Sequence, residues 1–301
     1  MKTKIVYTII STEADIYLEQ LMISVYSLLR NNSAVNVFIV TNRETFDSLT
    51  GWRASIKKMV SDIIVVDIPE GYNKMQCSRY LKTNLRKFIQ GDYLFIDTDT
   101  IICGSLASID DINVDIALCA DCNAELLLND VRTIERCKEA GFNQMGGVPY
   151  FNSGVMYVRE SKISHDFYKE WYESWKFSST NGIYLDQPSM NYVNNKMGQC
   201  IKELSGRWNC QIFFQGWNCL YQANIIHYAG GGKKDSLQRL YQKVRKEGVD
   251  NVEIRALISD PKIKFYAYLT QQLDNRKSML LLWCYVKCHW LYKLLFREYG
   301  K

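Results

Sequence analysis

The sequence predicts an α/β protein built on a doubly wound, mostly parallel sheet and followed by a helical C-terminal tail. In the first hundred residues, strand-like and helix-like segments alternate. The strand-like segments are continuously apolar, which is typical of parallel strands covered by helices on both faces. A chain of 301 residues with 47% hydrophobic and 23% charged residues can also bury the large core that such a sheet needs.

Apolar runs and helical periodicity define the predicted elements of the first hundred residues. Strands are predicted over 4–10, 36–41, 63–68 and 92–96, and helices over 15–30, 44–60 and 77–89. From about Val114 the pattern becomes irregular. It predicts an apolar segment over 114–119, a polar helical piece over 129–140, a strand-like segment over 150–158, helices over 164–176 and from 186, and a short strand ending at 227.

Composition narrows the function and the compartment. The net charge is +5 without blocks of Lys and Arg, so we expect no nucleic acid partner. The ten cysteines are scattered and residues 1–10 fit a first strand better than an export signal, which predicts reduced thiols and a cytoplasmic protein. Cys119 and Cys122 have zinc-like or redox-like spacing but lack a second pair at a matching interval, so we expect a structural role for them.

The fourth strand ends in an acid pair, Asp97 and Asp99, within an otherwise oily run. Burying two carboxylates costs several kcal/mol, roughly, unless a cation or several donors compensate them. Residues two apart in a strand point to the same side, so both could bind one cation if the chain stays extended through Thr98. Oxygen ligands suit Mg²⁺ or Mn²⁺. A solvated strand end or a turn cap is the alternative.

A second polar segment spans 224–235, where an apolar strand ends in His227. Three glycines follow and allow a close backbone approach to a ligand, and Lys233 and Lys234 add positive charge. This combination suits a diphosphate bridged to a metal. A histidine after two isoleucines is also typical of a satisfied core residue, so that alternative stays open.

Two more segments interrupt the apolar pattern. Asn152 and Ser153 stand just before Gly154 in a strand-like stretch, where a β-bulge is the alternative to a functional role. Asp186 precedes Gln187 and Pro188 at a turn into a helix, where an N-cap is the alternative.

Taken in order over about residues 4–235, these segments resemble the retaining sugar-nucleotide glycosyltransferases of family eight, which include glycogenin and bacterial lipopolysaccharide galactosyl- and glucosyltransferases. Each element alone is unspecific, but their common order is specific. The matching elements are Ile5–Thr8, Arg79, Phe95–Asp99 with Gly104–Leu106, Phe151–Val155, Leu185–Gln187, and Ile226–Tyr228 with Gly230 and Lys233.

The resemblance implies a GT-A fold in which Asp97, Asp99 and His227 hold Mn²⁺, or Mg²⁺, against the diphosphate of a UDP-sugar. It implies that Asp186 and Gln187 lie at the sugar ring and its anomeric carbon. The remaining donor-binding positions that it implies are Thr8, Arg79, Asp97, Thr98, Asp121, Asn152, Gly230 and Lys233. The chain departs from the family at Lys233–Asp235, where Lys-Pro-Trp is frequent, and at Pro188, where an acid is more usual.

The implied function is metal-dependent, retaining transfer of a hexose from UDP-glucose or UDP-galactose to a glycan or lipid-linked acceptor, as in bacterial surface polysaccharide or lipopolysaccharide synthesis. A bound metal and Lys233 would stabilise the charge of the leaving diphosphate. Retention allows a covalent intermediate on Asp186 or attack from the face of departure. Gln187 is a poor nucleophile, which favours same-face attack.

The implied organisation is a catalytic domain over 1–235, with a nucleotide-binding half over about 1–110 and a sugar and acceptor half over about 111–235, followed by a helical region over 236–301. One alternative is a non-catalytic sugar-nucleotide-binding protein of the same fold. Another is a sugar nucleotidyltransferase, which would carry a Gly-rich basic loop after the first strand, and residues 9–15 have none.

The tail, residues 278–301, is amphipathic. Lys287, His289 and Lys293 divide its apolar residues into pieces too short to span a bilayer. As a helix, it would suit the interface of an anionic membrane at the inner face of the cell membrane. Packing on the body or on a second subunit is the alternative. The apolar half of its helical wheel holds Leu281, Cys284, Tyr285, Cys288, Leu291, Tyr292, Leu295 and Phe296.

Overall fold

A computed structural model of the chain describes residues 1–124, 127–143, 145–212, 215–216, 219–228 and 235–259. Its centre is a seven-stranded sheet in the order β3-β2-β1-β4-β7-β6-β8. A smaller sheet has the order β5-β10-β9. The strands are β1 Lys4–Ile9, β2 Val37–Asn42, β3 Asp62–Val66, β4 Tyr93–Ile96, β5 Thr100–Ile102, β6 Ile116–Ala120, β7 Phe151–Val158, β8 Ile201–Leu204, β9 Cys210–Gln211 and β10 Ile225–His227.

The large sheet is parallel except at β7, which pairs antiparallel with both β4 and β6. Because the chain order reverses beside β1, the carboxyl ends of β1 and β4 meet where such sheets bind ligands. In the small sheet, β10 lies antiparallel to β5 and parallel to β9. The small sheet therefore brings the residues around position 227 close to the end of β4.

Helices cover both faces of the large sheet, and each face has its own apolar core. One core joins the sheet to α1, α8 and α9, and the other joins it to α3, α4, α6 and α7. The predicted doubly wound α/β class is therefore confirmed. The helices are α1 Tyr17–Asn31, α2 Arg43–Asp47, α3 Lys74–Thr83, α4 Leu85–Phe88, α5 Val131–Glu139, α6 Lys162–Thr180, α7 Gln187–Lys196, α8 Asp235–Glu247 and α9 Val252–Ser259.

Local sequence explains several helix starts. Asn73 and Gln76 form a capping box at the start of α3, and the Asp130 side chain accepts from Thr133 N at the start of α5. Pro188 stands in the first turn of α7, where its missing N–H costs nothing. These starts fix the helices that carry polar side chains toward the end of β4.

The single helix predicted over 44–60 is wrong. The segment forms the short helix α2 and then a 3₁₀ stretch over Gly51–Lys58. Gly51 has a φ of 52°, a left-handed conformation that ends the helical path and that glycine adopts without steric cost. The tail over 278–301 lies outside the described residues. Within the described ranges, no helix has the length and hydropathy required to cross a bilayer.

Candidate active site

The acid pair lies in a bend between β4 and β5, not on an extended strand. Asp97 N donates to Gly154 O at 2.8 Å, and Tyr228 N donates to Asp99 O at 3.1 Å. The hydroxyl of Thr100 also donates to Asp97 O at 2.9 Å. The expectation that the chain stays extended through Thr98 is therefore wrong, and backbone contacts to β7 and to the end of β10 hold the bend.

Despite the bend, the two carboxylates converge with His227. One ligand atom from each of Asp97, Asp99 and His227 lies within 4.8 Å of the others, and we call these residues the metal triad. His227 reaches the pair because β10 runs antiparallel to β5 with His227 opposite Thr100. Two carboxylate oxygens and one imidazole nitrogen form a donor set that suits Mn²⁺ or Mg²⁺ with positions left for a ligand's phosphates.

The imidazole of His227 is oriented by both of its nitrogens. Nδ1 lies 3.0 Å from the Oδ1 of Asn209, and Nε2 lies 3.3 Å from the Oδ1 of Asp99. The ring also packs directly on Gly154, where a Cβ would lie 2.8 Å from Nδ1 and nearer still to Cε1. A glycine is needed at this position of β7 for the ring to reach the acid pair.

A buried lysine, Lys82 on α3, joins the metal triad to Asp186. Its side chain is 3% exposed. Its Nζ lies 3.3 Å from Asp97 Oδ1, 3.2 Å from Asp186 Oδ2 and 3.1 Å from Ser153 Oγ. Arg79, one turn earlier on α3, places its Nε 2.9 Å from the other oxygen of Asp186. Both oxygens of the Asp186 carboxylate are therefore engaged by cations.

These neighbours set the charge states. Burial would raise the pKa of Asp186, but Lys82 and Arg79 outweigh it and hold that pKa well below its usual range. Burial raises the pKa of Asp97 more than Lys82 lowers it, and Asp99 raises it further. Burial alone would lower the pKa of His227, but Asp99 and then Asp97 stabilise the imidazolium and raise it.

The residues predicted for the sugar form a hydrogen-bonded group beside this cluster. The amide nitrogen of Asn152 donates to Asp121 Oδ1 at 2.9 Å and to Gln187 Oε1 at 3.3 Å. Asn209 donates to the amide oxygen of Asn152 at 2.9 Å, so the same residue contacts His227 and Asn152. Asp121 lies directly after β6, and the two residues that follow it, Cys122 and Asn123, have φ values of 59° and 49°. Such left-handed residues are uncommon and concentrate at functional sites.

Two cavities, each of about 390 Å³, lie in this region, the first beside the acid pair and the second beside the hydrogen-bonded group. The first is lined by Thr8 on β1, Arg79, and the acid pair with Thr98 between them. The second is lined on one side by Asp121, Asn152 and Gln187 and on the other by α5 residues that include Arg132 and Arg136. The two cavities share no lining residue, and the hydrogen-bonded group borders the second cavity only.

The structure thus brings together Asp97, Asp99 and His227, and, beside them, the cluster of Arg79 with Asp186. It also brings together Asp121, Asn152 and Gln187, and it places Thr8 and Thr98 on the wall of the first cavity. The predicted residues Gly230 and Lys233 lie outside the described residues.

Two of the alternative interpretations can be compared with the geometry. Asp186 stands at the N-cap of α7 but makes no side-chain cap, because its carboxylate binds Lys82 and Arg79 instead. The β6–β7 register shifts between Leu118 and Ala120, next to Asn152, so an irregularity of the ladder and the polar contacts coexist there. Irregularities of this kind turn side chains toward a site.

Sequence reasoning missed Lys82 and Asn209. Lys82 follows Arg79 by three residues, a spacing that puts both on one helix face, but this spacing alone does not indicate that Lys82 is buried. Asn209 has no local signal, since its position depends on the pairing of β9 with β10. Burial raises the pKa of both thiols in the Cys119 and Cys122 spacing, and it raises that of Cys122 to about 12.

Comparison with known proteins identifies the family and the fold. The family model for glycosyl transferase family 8 matches residues 8–234. Among curated proteins no match is found. Among solved structures, the galactosyltransferase LgtC in complex with donor and acceptor sugar analogs has a TM-score of 0.56 at 15% identity, over 84% of this chain and 99% of its own.

Two further solved structures share the fold. GlyE, a glycosyltransferase of Streptococcus pneumoniae, has a TM-score of 0.53 at 16% identity, over 86% of this chain and 63% of its own. Mouse xyloside xylosyltransferase 1 has a TM-score of 0.51 at 14% identity, over 76% of this chain and 98% of its own. At these identities, the likeness concerns the fold alone. With the family model matching most of its length, the chain belongs to glycosyl transferase family 8 and is a glycosyltransferase with the GT-A fold.

Proposed function

We propose that the protein transfers a hexose from UDP-glucose or UDP-galactose, with retention, to a glycan or lipid-linked acceptor. The observation that carries the proposal is the metal triad, whose ligand atoms lie within 4.8 Å of one another at the edge of the first cavity. A nucleotide diphosphate bound there would reach the metal from the side of Thr8, and its sugar would approach Arg79 and Asp186.

The donor set of the metal triad fits Mn²⁺, with Mg²⁺ as the alternative ion, held by Asp97, Asp99 and His227. A bound divalent ion would supply positive charge against the diphosphate as it leaves. The protein's own part is to hold the sugar in place: Asn152 and Gln187 present amide groups, and Asp121 presents a carboxylate, on the wall of the second cavity. Fixed polar groups of this kind need no reorganisation during the reaction.

The contacts of Asp186 favour same-face attack over a covalent intermediate. A nucleophilic carboxylate needs an oxygen free to approach the anomeric carbon. Asp186 is 4% exposed, with one oxygen at Arg79 and the other at Lys82 and Ser153. We therefore infer that Asp186 orients Arg79 and the side chains around the sugar. The acceptor hydroxyl would approach from the second cavity, beside Gln187.

A donor panel tests this proposal. The purified protein with Mn²⁺ is given UDP-glucose, UDP-galactose and their N-acetyl forms, and release of UDP is measured with and without EDTA. We expect hydrolysis of one hexose donor that EDTA abolishes, because water can replace the acceptor. If the protein binds the donors but releases UDP from none of them, with or without added acceptors, the transferase assignment would be overturned and a sugar-nucleotide-binding role favoured.

For the tail, we propose peripheral contact of residues 278–301 with an anionic membrane at the inner face of the cell membrane, where a lipid-linked acceptor would be found. Lys287, Lys293 and Arg297 share the polar half of its helical wheel. Co-sedimentation with phosphatidylserine-containing liposomes compares the full chain with a chain ending at residue 277. We expect loss of binding in the shortened chain, and equal binding by both would overturn the proposal.

A further inference from the structure

We infer that the buried ammonium of Lys82 makes divalent-metal binding at the metal triad depend on the donor diphosphate. The inference rests on the proposed function. It assigns to a residue with no role in that proposal the task of coupling two ligands.

The first step is geometric. The ammonium of Lys82 lies 3.3 Å from an oxygen of Asp97, a member of the metal triad, and its side chain is only 3% exposed. It is held in place by Asp186 and Ser153 at 3.2 and 3.1 Å, and it lies 4.9 Å from the centre of the Phe95 ring. These contacts fix the ammonium beside Asp97, so its charge lies close to any metal ion that the metal triad binds.

The second step is the balance of charge. Asp97, Asp99 and Asp186 contribute three negative charges, and Lys82 and Arg79 contribute two positive ones. With His227 in the neutral form that binds a metal, the cluster has one net negative charge. A divalent ion would turn this into a net positive charge in a largely buried place, which is unfavourable. The negative charge of a bound diphosphate would offset this positive charge. The metal ion and the diphosphate should therefore each raise the affinity for the other by the same factor.

A coupling role and a merely structural role of Lys82 lead to different expected results. If Lys82 only held α3 against α7, its loss would weaken metal and nucleotide binding together. If its charge restrains the metal, loss of that charge should tighten metal binding and reduce the coupling. At the effective dielectric of partly buried sites, a charge this close to the metal is worth at least roughly tenfold in affinity.

The experiment measures Mn²⁺ affinity by electron paramagnetic resonance of free Mn²⁺, with and without saturating UDP. Lys82→Gln keeps polar contacts but removes the charge. We expect it to bind Mn²⁺ about tenfold tighter without UDP and to lose about the same factor from the coupling. Asp186→Asn changes the charge in the opposite direction and should weaken Mn²⁺ binding without UDP.

Two control variants preserve the local charge. Lys82→Arg keeps the cation, so it should keep the coupling, while the larger guanidinium lowers stability in this packed position. Lys87→Gln removes an exposed lysine from the neighbouring helix α4 and should resemble the wild type. The double variant Lys82→Gln with Asp186→Asn restores one net negative charge and should return the wild-type coupling. If the single Lys82 variant does not fold, as judged by thermal unfolding, Asp186→Asn and the double variant carry the test.

Two results would overturn the inference, and they differ in what they say about the proposed function. A Lys82→Gln variant with wild-type Mn²⁺ affinity and wild-type coupling would overturn the inference alone. A wild-type protein that binds Mn²⁺ neither with nor without UDP would overturn the metal site of the proposed function as well.

Discussion

Replacement of Gly154 by alanine tests the packing that positions His227. The added Cβ would lie 2.8 Å from His227 Nδ1, whereas unstrained contacts are about 3.5 Å or longer. The ring must therefore move by roughly 1 Å, which exceeds the tolerance of about 0.2 Å in metal–ligand distances. Overpacking of this kind costs about 1–3 kcal/mol in the free energy of unfolding.

We expect Gly154→Ala to lower Mn²⁺ affinity by about 10–100-fold, because the moved imidazole also loses its 3.0 Å contact with Asn209. Mn²⁺ titration and chemical denaturation measure the two effects. Gly146→Ala is the matched control, since its Cβ would meet nothing nearer than 3.8 Å. In the double variant with His227→Ala, the clash with the ring is removed and only the 2.9 Å contact of the Cβ with Asn152 Oδ1 remains, so Gly154→Ala should destabilise His227→Ala less than it destabilises the wild type. Wild-type Mn²⁺ affinity in Gly154→Ala would refute the reasoning.

Three further predictions concern the metal triad. Asp97→Asn and Asp99→Asn should each reduce metal-dependent release of UDP at least about 100-fold, because each removes an anionic ligand, and full activity of either variant in EDTA would contradict a metal site. Asn209→Ala should lower Mn²⁺ affinity about 10–100-fold in the same titration by freeing the His227 ring, with no effect expected once His227 is alanine. The pKa of His227 is raised above 6.5, so protons still compete with Mn²⁺ for the imidazole at pH values above 6.5. Mn²⁺ affinity should therefore rise with pH through and above 6.5, and His227→Ala should lack this rise.

The large sheet could be predicted from sequence because its signals are local. The run that becomes β4 is apolar throughout, β1 is apolar except at Lys4 and Thr8, and their apolar residues lie in the core, as a sheet covered on both faces requires. The position of His227 could not be predicted in this way. It depends on the pairing of β10 with β5, which joins segments about 125 residues apart and has no local signal. The resemblance to a family supplied that contact.

Lys82 shows a different limit. A lysine on an amphipathic helix usually keeps its ammonium in water, so the sequence favours a surface position even though Arg79 shares its helix face. Its burial follows from partners on three other elements: Asp97 after β4, Ser153 on β7 and Asp186 before α7. A residue buried by the fold as a whole cannot be identified from its own neighbourhood in the chain.

The negative charges of the acid pair at the end of the apolar strand β4 require compensation, and several groups supply it. Asp97 faces the ammonium of Lys82, and Asp99 faces the imidazole of His227. The pair can therefore be partly buried before any metal binds, with less uptake of protons than a pair relying on the metal alone would need. The same compensation leaves too little negative charge to hold a divalent ion well by itself. The fold thus stabilises the pair and at the same time reserves strong metal binding for the complex with a diphosphate.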